Sequence, residues 1–566
     1  MISVRSTNQP SNQTSTQPDR QPTPRLGIFI CDCGDQVASI LDTEVLVEAA
    51  RGLPGVVYAG RANYWCSANG RERLGVTIRT EKLDRVVIAG CSPRTHRRLF
   101  QEATSEAGLN PDLVGLVNIR EGCAWPHQGE HPAANGRAQD QIAMEAAHIA
   151  ALTLRPSVEA SITPTALVIG GGPAGITAAL ELADADIEVT LLERANTLGG
   201  SALTRAPQLA TNLVAAVRDH PRITLHLNSH VTHADGSVGA YGVDITPHTS
   251  CLTDRAFGVT HHGPFGAIIV ATGAPDPETA DLIRALRLPQ DVQGHVPELR
   301  VRLRPGSFVE RGIYVCGGAH YPCDVSEARF QAYSAASRAL RHLRRERVTA
   351  HGPVAQVDPA TCNGCGDCFN VCPFAAVTMT ERPGGMSLSV IDPLLCTGCG
   401  NCISICPVGA VTVAGWTSAQ LEGQMRIALA GAQSPAARTQ PIVLIFACEW
   451  SGYAAAELAG AQKLSYPANV RMIRLDCSGR LQPGLILKAF ELGADGVLIL
   501  SCAPKLCHHE RGNERAAAAF EQVEAITGLL GLPPNRLQLA WTPPDDGPAF
   551  AELVTQFVEG AIGSRK

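Results

Sequence analysis

No run of this 566-residue chain is apolar for long enough to cross a bilayer. The longest, such as Gly266–Gly273 and Gly496–Leu500, are strand-sized, whereas a spanning helix needs roughly 20 residues. The stretch from Met1 to Pro24 is rich in Ser, Thr, Gln and Pro and lacks the apolar core of a secretory signal, so residues 1–25 read as a disordered tail. A strong excess of charge is also missing. Lys and Arg number 47 against 53 Asp and Glu, a net −6, and no basic helix stands out; neither nucleic acid nor an anionic membrane is expected as partner. Paired acid and base groups and activated nucleophiles are absent as a recognisable set, so no catalytic side chain is assigned. The composition, 45 % hydrophobic and 18 % charged, is that of an ordinary soluble chain, and at roughly 150 residues per domain its length allows three to five domains.

Cysteine is what the chain has in quantity, 20 residues. With no export signal, cysteines grouped for metal rather than for disulfides fit a reducing cytoplasm. Eight of them form two runs, Cys362, Cys365, Cys368, Cys372-Pro373 and Cys396, Cys399, Cys402, Cys406-Pro407. Each reads C-x₂-C-x₂-C-x₃-C-P, the spacing with which bacterial ferredoxins hold two 4Fe–4S clusters, the fourth cysteine of each run ligating the other cluster. One cluster then takes Cys362, Cys365, Cys368 and Cys406, and the other Cys396, Cys399, Cys402 and Cys372. A zinc ribbon or a disulfide knot would not repeat four cysteines and a proline in this way. This doubled motif, within residues 354–415, is the only internal repeat visible.

The fold expected is multidomain α/β. An N-terminal α/β unit over 26–155 starts with a strand at Leu26–Cys31, a helix at Asp42–Leu53 and a strand at Arg85–Ala89. A second unit, 160–345, opens with an apolar strand, the turn Gly170-Gly-Gly172-Pro-Ala-Gly175 and an Ala-rich helix. This G-x-G-x-x-G context is a Rossmann-type dinucleotide fingerprint. Gly170 makes the tight turn, Gly172 lets a pyrophosphate approach the backbone and Gly175 packs helix on strand. Glu193, ending the next strand, stands where an acid bonds ribose hydroxyls. Leu198-Gly199-Gly200, Ala271-Thr272-Gly273 and Cys316-Gly317-Gly318, with Asp324 beyond, complete a set that favours FAD over NAD. No second full fingerprint follows, which argues against a stand-alone nicotinamide-dependent flavoenzyme.

After a Pro/Ala/Ser linker at Ala430–Gln440, a last α/β unit spans 440–562, with strands expected at Ile442–Phe446, Arg471–Leu475, Gly496–Leu500 and Gln538–Trp541. Cys448, Cys477, Cys502 and Cys507 fall at strand ends, which converge on one edge of an open sheet; a 2Fe–2S centre or a zinc would satisfy four such thiols. His508 and His509 read as supporting or solvent-facing residues. In the N-terminal unit Cys31, Cys33, Cys66, Cys91 and Cys123 also lie near strand ends, but their spacing matches no standard motif, and chemistry alone leaves a cluster and ordinary buried thiols equally open. Cys251, Cys316 and Cys323 read as structural.

Beyond residue 25 these motifs resemble the A subunit of heterodisulfide reductase fused to the delta subunit of methyl-viologen-reducing hydrogenase. The B subunit of the quinone-interacting membrane-bound oxidoreductase is similar to the same fusion. The resemblance rests on Cys31-Asp-Cys33-Gly, Ala89-Gly-Cys91-Ser-Pro-Arg-Thr-His96, Ile119-Arg-Glu-Gly-Cys123, the flavin phrases, Tyr453-Ala-Ala-Ala-Glu-Leu-Ala-Gly460 and Cys477-Ser-Gly-Arg480. It implies a further 4Fe–4S cluster in the N-terminal unit and a 2Fe–2S cluster on the four C-terminal cysteines. The family's inserted ferredoxin module is missing here. Ser451 stands where the delta subunit often has a further cysteine, and Pro322-Cys323-Asp324 where a lysine is usual. Losing that cation bears on how a reduced flavin anion is stabilised, hence on bifurcation, and not on flavin binding.

The function implied is an FAD and iron–sulfur electron-transfer subunit of a heterodisulfide reductase-like oxidoreductase. Its expected partners are heterodisulfide reductase B/C-like, hydrogenase-like or formate dehydrogenase-like redox subunits in a homo- or hetero-oligomer, none spanning a membrane through this chain. An iron–sulfur redox sensor is the competing reading, and no effector module supports it.

Overall fold

A computed structural model describes residues 24–153, 158–247, 259–297, 312–350, 354–430 and 441–563, apart from 287, 289, 292, 375 and 383. Residues 1–23, most of the linker (431–440) and Cys251 lie outside the described residues.

The N-terminal unit is a four-stranded parallel sheet in the order Val56–Ala62, Leu26–Cys31, Arg85–Gly90, Val114–Asn118. Leu26–Cys31 is buried at every position, as a parallel strand covered on both faces must be. The first long helix runs Thr43–Arg51; Asp42 caps it by accepting from the amides of Glu44 and Val45.

The flavin-type unit is a five-stranded parallel sheet, Ile313–Val315, Ala267–Val270, Thr165–Ile169, Glu188–Leu192, Ile223–His226. Chain direction across the sheet reverses at Thr165–Ile169, and the crevice at that strand's C-terminal end is where such sheets take ligands. A three-stranded antiparallel sheet, Ser229–Ser237, Ala240–Pro247 and Thr260–Phe265, flanks it.

The dicluster unit has two antiparallel pairs, Ala355–Val357 with Val411–Val413 and Val377–Glu381 with Ser387–Ile391. Two five-residue helices, Asp367–Val371 and Asn401–Ile405, follow Gly366 and Gly400, whose φ of +81° and +80° only glycine adopts without strain.

The last sheet is parallel, in the order Val470–Leu475, Val443–Cys448, Gly496–Ser501, Leu537–Trp541. Second, first, third, fourth is also the order of the N-terminal sheet, so the chain holds a repeat that its sequence does not display. The two sheets meet through the helix His131–Ala150. Arg137 donates to the carbonyl of Val470 (3.0 Å) and Gln141 to that of Met472 (3.3 Å), capping the exposed edge of the last sheet. Asp140 accepts from Arg471 at 2.6 Å, and His148 bonds the Gly415 carbonyl at 2.6 Å. Among the described residues no helix is long and apolar enough to cross a membrane.

Candidate redox centres

No disulfide links any of the described cysteines. In the dicluster unit Cys372 lines one cavity with Cys396, Cys399 and Cys402, together with Phe374 and Ile391. The fourth cysteine of the first run therefore stands among the first three of the second. Ala355 N–H donates to Cys396 Sγ at 3.3 Å, the kind of amide–sulfur bond that tunes a cluster. Burial pushes the Cys399 thiol up to about 12 and Cys402 well above its ordinary value. Cys362, Cys365 and Cys368 form the other group. Cys368 Sγ donates to Ser389 Oγ at 3.0 Å, and its pKa is raised by burial and by neighbouring Cys365 and Cys362. Cys406 is half-buried, Cys365 exposed.

The four C-terminal cysteines converge. Cys448 and Cys502 Sγ are 3.8 Å apart, Cys477 and Cys507 Sγ both lie against Gly512, and the Gly479 amide donates to Cys477 Sγ at 3.4 Å. A side chain on Gly512 would run into Cys477 Sγ and reach within 3.4 Å of Cys507 Sγ, so the loop can close over these thiols only as glycine. Ser451 is buried, its hydroxyl without a hydrogen-bond partner. His508 stacks on Trp450, ring centroids 3.4 Å apart, and burial holds His509 down to about 4, neutral at pH 7.

This set adjoins the dicluster unit. Cys477 and Cys399 belong to one buried apolar cluster with Phe374 and Ala376. Across the same seam Arg480 donates to the carbonyl of Trp416 (2.8 Å), Gln482 to that of Ile403 (2.9 Å), and Thr397 Oγ1 lies 3.5 Å from His509 Nδ1.

In the N-terminal unit Cys31, Cys66 and Cys91 share a cavity with His96, and Cys33 Sγ is 3.5 Å from Cys31 Sγ. Hydrogen bonding to Cys33, then the His96 ring 3.2 Å away, pulls the Cys91 thiol down to about 4, and bonding to Cys33 pulls Cys31 to about 7. Cys33 takes a left-handed backbone (φ 49°) followed by Gly34 at φ 60°, a turn in which two thiols two residues apart lie 3.5 Å from each other. Cys123 is not with them. It is fully buried in a second cavity beside Arg137 and Tyr466, on the turn that docks the N-terminal unit on the last one, and burial raises its pKa. His96 has no role in the motif reading; its only signal is its place five residues after Cys91. Among the described residues no three His, Cys, Asp or Glu side chains are gathered tightly enough to hold a single metal ion.

The flavin-type crevice has the form its glycines imply. Gly170 has φ +112° and abuts the Ala271 carbonyl; Gly175 packs against the Gly170 carbonyl; at Gly172 a Cβ would meet nothing within 4 Å. Space is thus left at the one glycine where a pyrophosphate should approach, ahead of the Pro173–Asp184 helix. Gly200 closes on Gly172, and Gly318 on Gly273. Thr272 Oγ1 is buried without a partner, an acceptor or donor left over for a ligand. Glu193 accepts from the amides of Gly171 (2.5 Å) and Ala195 (2.8 Å), which fixes its carboxylate at the mouth of the loop. Gln331, unmarked in the sequence, accepts from the Gly317 amide at 2.9 Å; Asp324 caps the Val325–Leu343 helix through the Glu327 amide. Cys316 is buried, its thiol raised to about 12, and Cys323 half-buried.

Residues 164–331 match the pyridine nucleotide-disulphide oxidoreductase family, 361–410 the 4Fe-4S dicluster domain and 443–562 the delta subunit of methyl-viologen-reducing hydrogenase. Across 95 % of its length the chain is 27 % identical to the A subunit of the ferredoxin:CoB-CoM heterodisulfide reductase of Methanosarcina mazei, covering 98 % of that protein. It is 26 % identical, with the same coverage, to the A subunit of the ferredoxin/F420H2-dependent CoB-CoM heterodisulfide reductase of Methanosarcina acetivorans. A shorter match, 37 % over 231 residues, covers 39 % of this chain and 35 % of the second iron-sulfur A subunit of the CoB–CoM heterodisulfide reductase of Methanopyrus kandleri. The first alignment runs over 786 positions against the 566 residues here, so this chain lacks stretches that relative carries. The resemblance read from the motifs holds: a flavoprotein like the heterodisulfide reductase A subunit, with a 4Fe–4S dicluster unit, ending in a hydrogenase delta subunit-like unit.

Proposed function

We propose that this chain is the FAD and iron–sulfur electron-transfer subunit of a heterodisulfide reductase-like complex, relaying electrons between a dehydrogenase or hydrogenase partner and another acceptor. The observation that carries the reading is the place of Cys399, in the dicluster unit, and Cys477, in the last unit, within one buried apolar cluster.

A flavin in the crevice would take electrons in pairs and pass them on one at a time, as iron–sulfur clusters require. Gly170, Gly172 and Gly175 with Glu193 would hold the dinucleotide, together with Gly199, Gly200, Thr272, Gly273, Gly317, Gly318 and Asp324 around the same crevice. Cys362, Cys365, Cys368 and Cys406 hold one 4Fe–4S cluster, and Cys396, Cys399, Cys402 and Cys372 the other. Phe374, Ala376 and the buried His509 line the seam to the last unit, where Cys448, Cys477, Cys502 and Cys507 would hold a 2Fe–2S cluster. Zinc has no redox chemistry and would end the relay at that seam. Cys31, Cys33, Cys66 and Cys91 would hold the further cluster of the N-terminal unit; Cys123, on the wall of another cavity, is left out of that proposed set.

The test is Cys372→Ser in the full chain, reconstituted anaerobically. The cluster signal of Cys396, Cys399 and Cys402 should be damaged in low-temperature EPR while that of Cys362 persists. Damage confined to the Cys362 cluster would overturn the ligand exchange.

A further inference from the structure

Glu457 belongs to the last unit, on the helix Gly452–Ala461, but its carboxylate is inserted into the strand-end edge of the N-terminal sheet. Only 11 % of its side chain is exposed. Its Oε1 accepts from Ser92 Oγ at 2.7 Å and from Asn118 Nδ2 at 3.0 Å. Ser92 directly follows Cys91, so the acid stands one residue from a thiol of the N-terminal set. Both donors are neutral, and Arg94 Nε lies 3.7 Å from Oε2, beyond hydrogen-bond reach. Arg94, Ser92 and Asn118 favour the ionised carboxyl, and burial with the facing Glu121 outweighs them.

The same carboxyl lines the cavity between the two sheets, about 70 Å³ of room for several waters. Three other charged groups around that cavity have counter-charges. Glu145 pairs with His148 at 3.4 Å, Arg474 with Glu449 at 3.8 Å, and Arg120 with Glu121 at 2.6 Å. Arg137 and Tyr466 bond each other, and Tyr453 and Cys123, also on the cavity wall, are neutral at pH 7 because burial raises both. Glu121 adds a second negative charge facing Glu457, and Arg94 a positive one.

We propose that Glu457 takes up a proton from solvent when the centre held by Cys31, Cys33, Cys66 and Cys91 is reduced, making this cavity a redox-linked proton site. The inference rests on the reading that those thiols hold an iron–sulfur centre. One electron arrives from the chain's own flavin or clusters and adds one negative charge beside Ser92. That charge raises the proton affinity of the nearest poised carboxyl, and one proton from water neutralises it at Oε2. Burial already lifts Glu457 to about 7. Below that pH the acid is protonated in both oxidation states and reduction takes up nothing. Above it, each electron brings a proton until the pH passes the higher value of the reduced state.

The test is a potentiometric EPR titration of the anaerobically reconstituted full chain between pH 6 and 9, in wild type, Glu457→Gln and Cys91→Ser. Wild type should show one centre, lost in Cys91→Ser, whose reduction equilibrium falls tenfold per pH unit above neutrality, about 59 mV for a one-electron couple. Glu457→Gln keeps an oxygen to accept from Ser92 and Asn118; it should retain the centre and its signal but lose the slope. Glu457→Asp, which keeps the carboxyl, should retain a slope displaced in pH. An infrared difference spectrum of reduction should show a protonated-carboxyl band that vanishes in Glu457→Gln. A centre that Cys91→Ser removes but whose potential ignores pH, or whose slope survives Glu457→Gln, overturns the proton site alone. Iron content and signals unchanged by Cys91→Ser overturn the N-terminal centre and the proton site with it.

Discussion

The two terminal sheets share a strand order and present thiols at corresponding ends: Cys31, Cys66 and Cys91 in the first, Cys448, Cys477 and Cys502 in the last. They differ in what faces those thiols. The last sheet's set looks across an apolar seam at Cys399 of the dicluster unit, flanked by a neutral histidine. The first sheet's set lines a small cavity with Phe100 and Leu116, with Glu457 bonded to the neighbouring Ser92 and His96 lowering one thiol. One scaffold thus meets an apolar cluster at one end of the chain and a buried carboxyl at the other, and the difference lies in neighbours supplied by other units.

The largest effect expected in this comparison is on metal content. Cys477→Ser should remove the last unit's iron and leave the N-terminal set loaded, and Cys31→Ser should do the reverse; iron analysis and EPR of the full chain would check this. Loss of both centres in either variant would mean the sheets are not independent metal scaffolds. Gly512→Ala is nearly as severe: its Cβ would collide with Cys477 Sγ, so cluster occupancy should fall strongly, with about 1–3 kcal/mol of overpacking cost read by denaturant unfolding.

The join between the sheets is next in size. Arg137 is 2 % exposed and bonds the Val470 carbonyl and the Tyr466 hydroxyl, so Arg137→Ala should cost about 2–4 kcal/mol through the partners left unpaired. A thermal midpoint close to wild type would show that the two units do not depend on that join. Expressing the last unit alone would expose the same edge, which makes the full chain the better material.

A smaller effect separates the two ends by pH. Glu457 is raised from 4.5 to about 7 in the folded chain, so between those values the folded state binds more protons than the unfolded one and stability falls as pH rises. Glu457→Gln should flatten that window and gain relative stability above pH 7, measured by urea unfolding at pH 4.5 to 8. A slope unchanged by the substitution would remove Glu457 as its source. The smallest effect is at His96. In metal-free protein His96→Ala should raise the pKa of Cys91, slowing its alkylation near pH 5. An unchanged alkylation profile would show that Cys33 alone sets Cys91.

How much was legible follows from how local each feature is. The eight dicluster cysteines and the Gly170–Gly175 turn are contiguous motifs, and both adopt the backbone their spacing implies. Gly172 and Gly175 illustrate this. Gly172→Val should fold and lose flavin, since its Cβ meets nothing, while Gly175→Val should not fold, since it would strike the Gly170 carbonyl. The N-terminal set was only half legible. Its members come from three strand ends, and Cys123 shares their strand-end position but turns away at Glu121, where the chain packs against Gly460. The repeated sheet order and the seam at Cys399 were invisible, because they depend on parallel pairings and contacts far apart in sequence rather than on any local pattern.

The central claim is that the last unit and the dicluster unit form one electron path through Cys477 and Cys399. It is tested most directly by the EPR spectrum of the fully reduced, fully loaded chain. Two paramagnetic centres meeting at that seam should couple, giving a dicluster signal broadened or split in wild type that sharpens in Cys477→Ser with dicluster iron unchanged. Identical dicluster spectra with and without the last unit's centre would contradict the path.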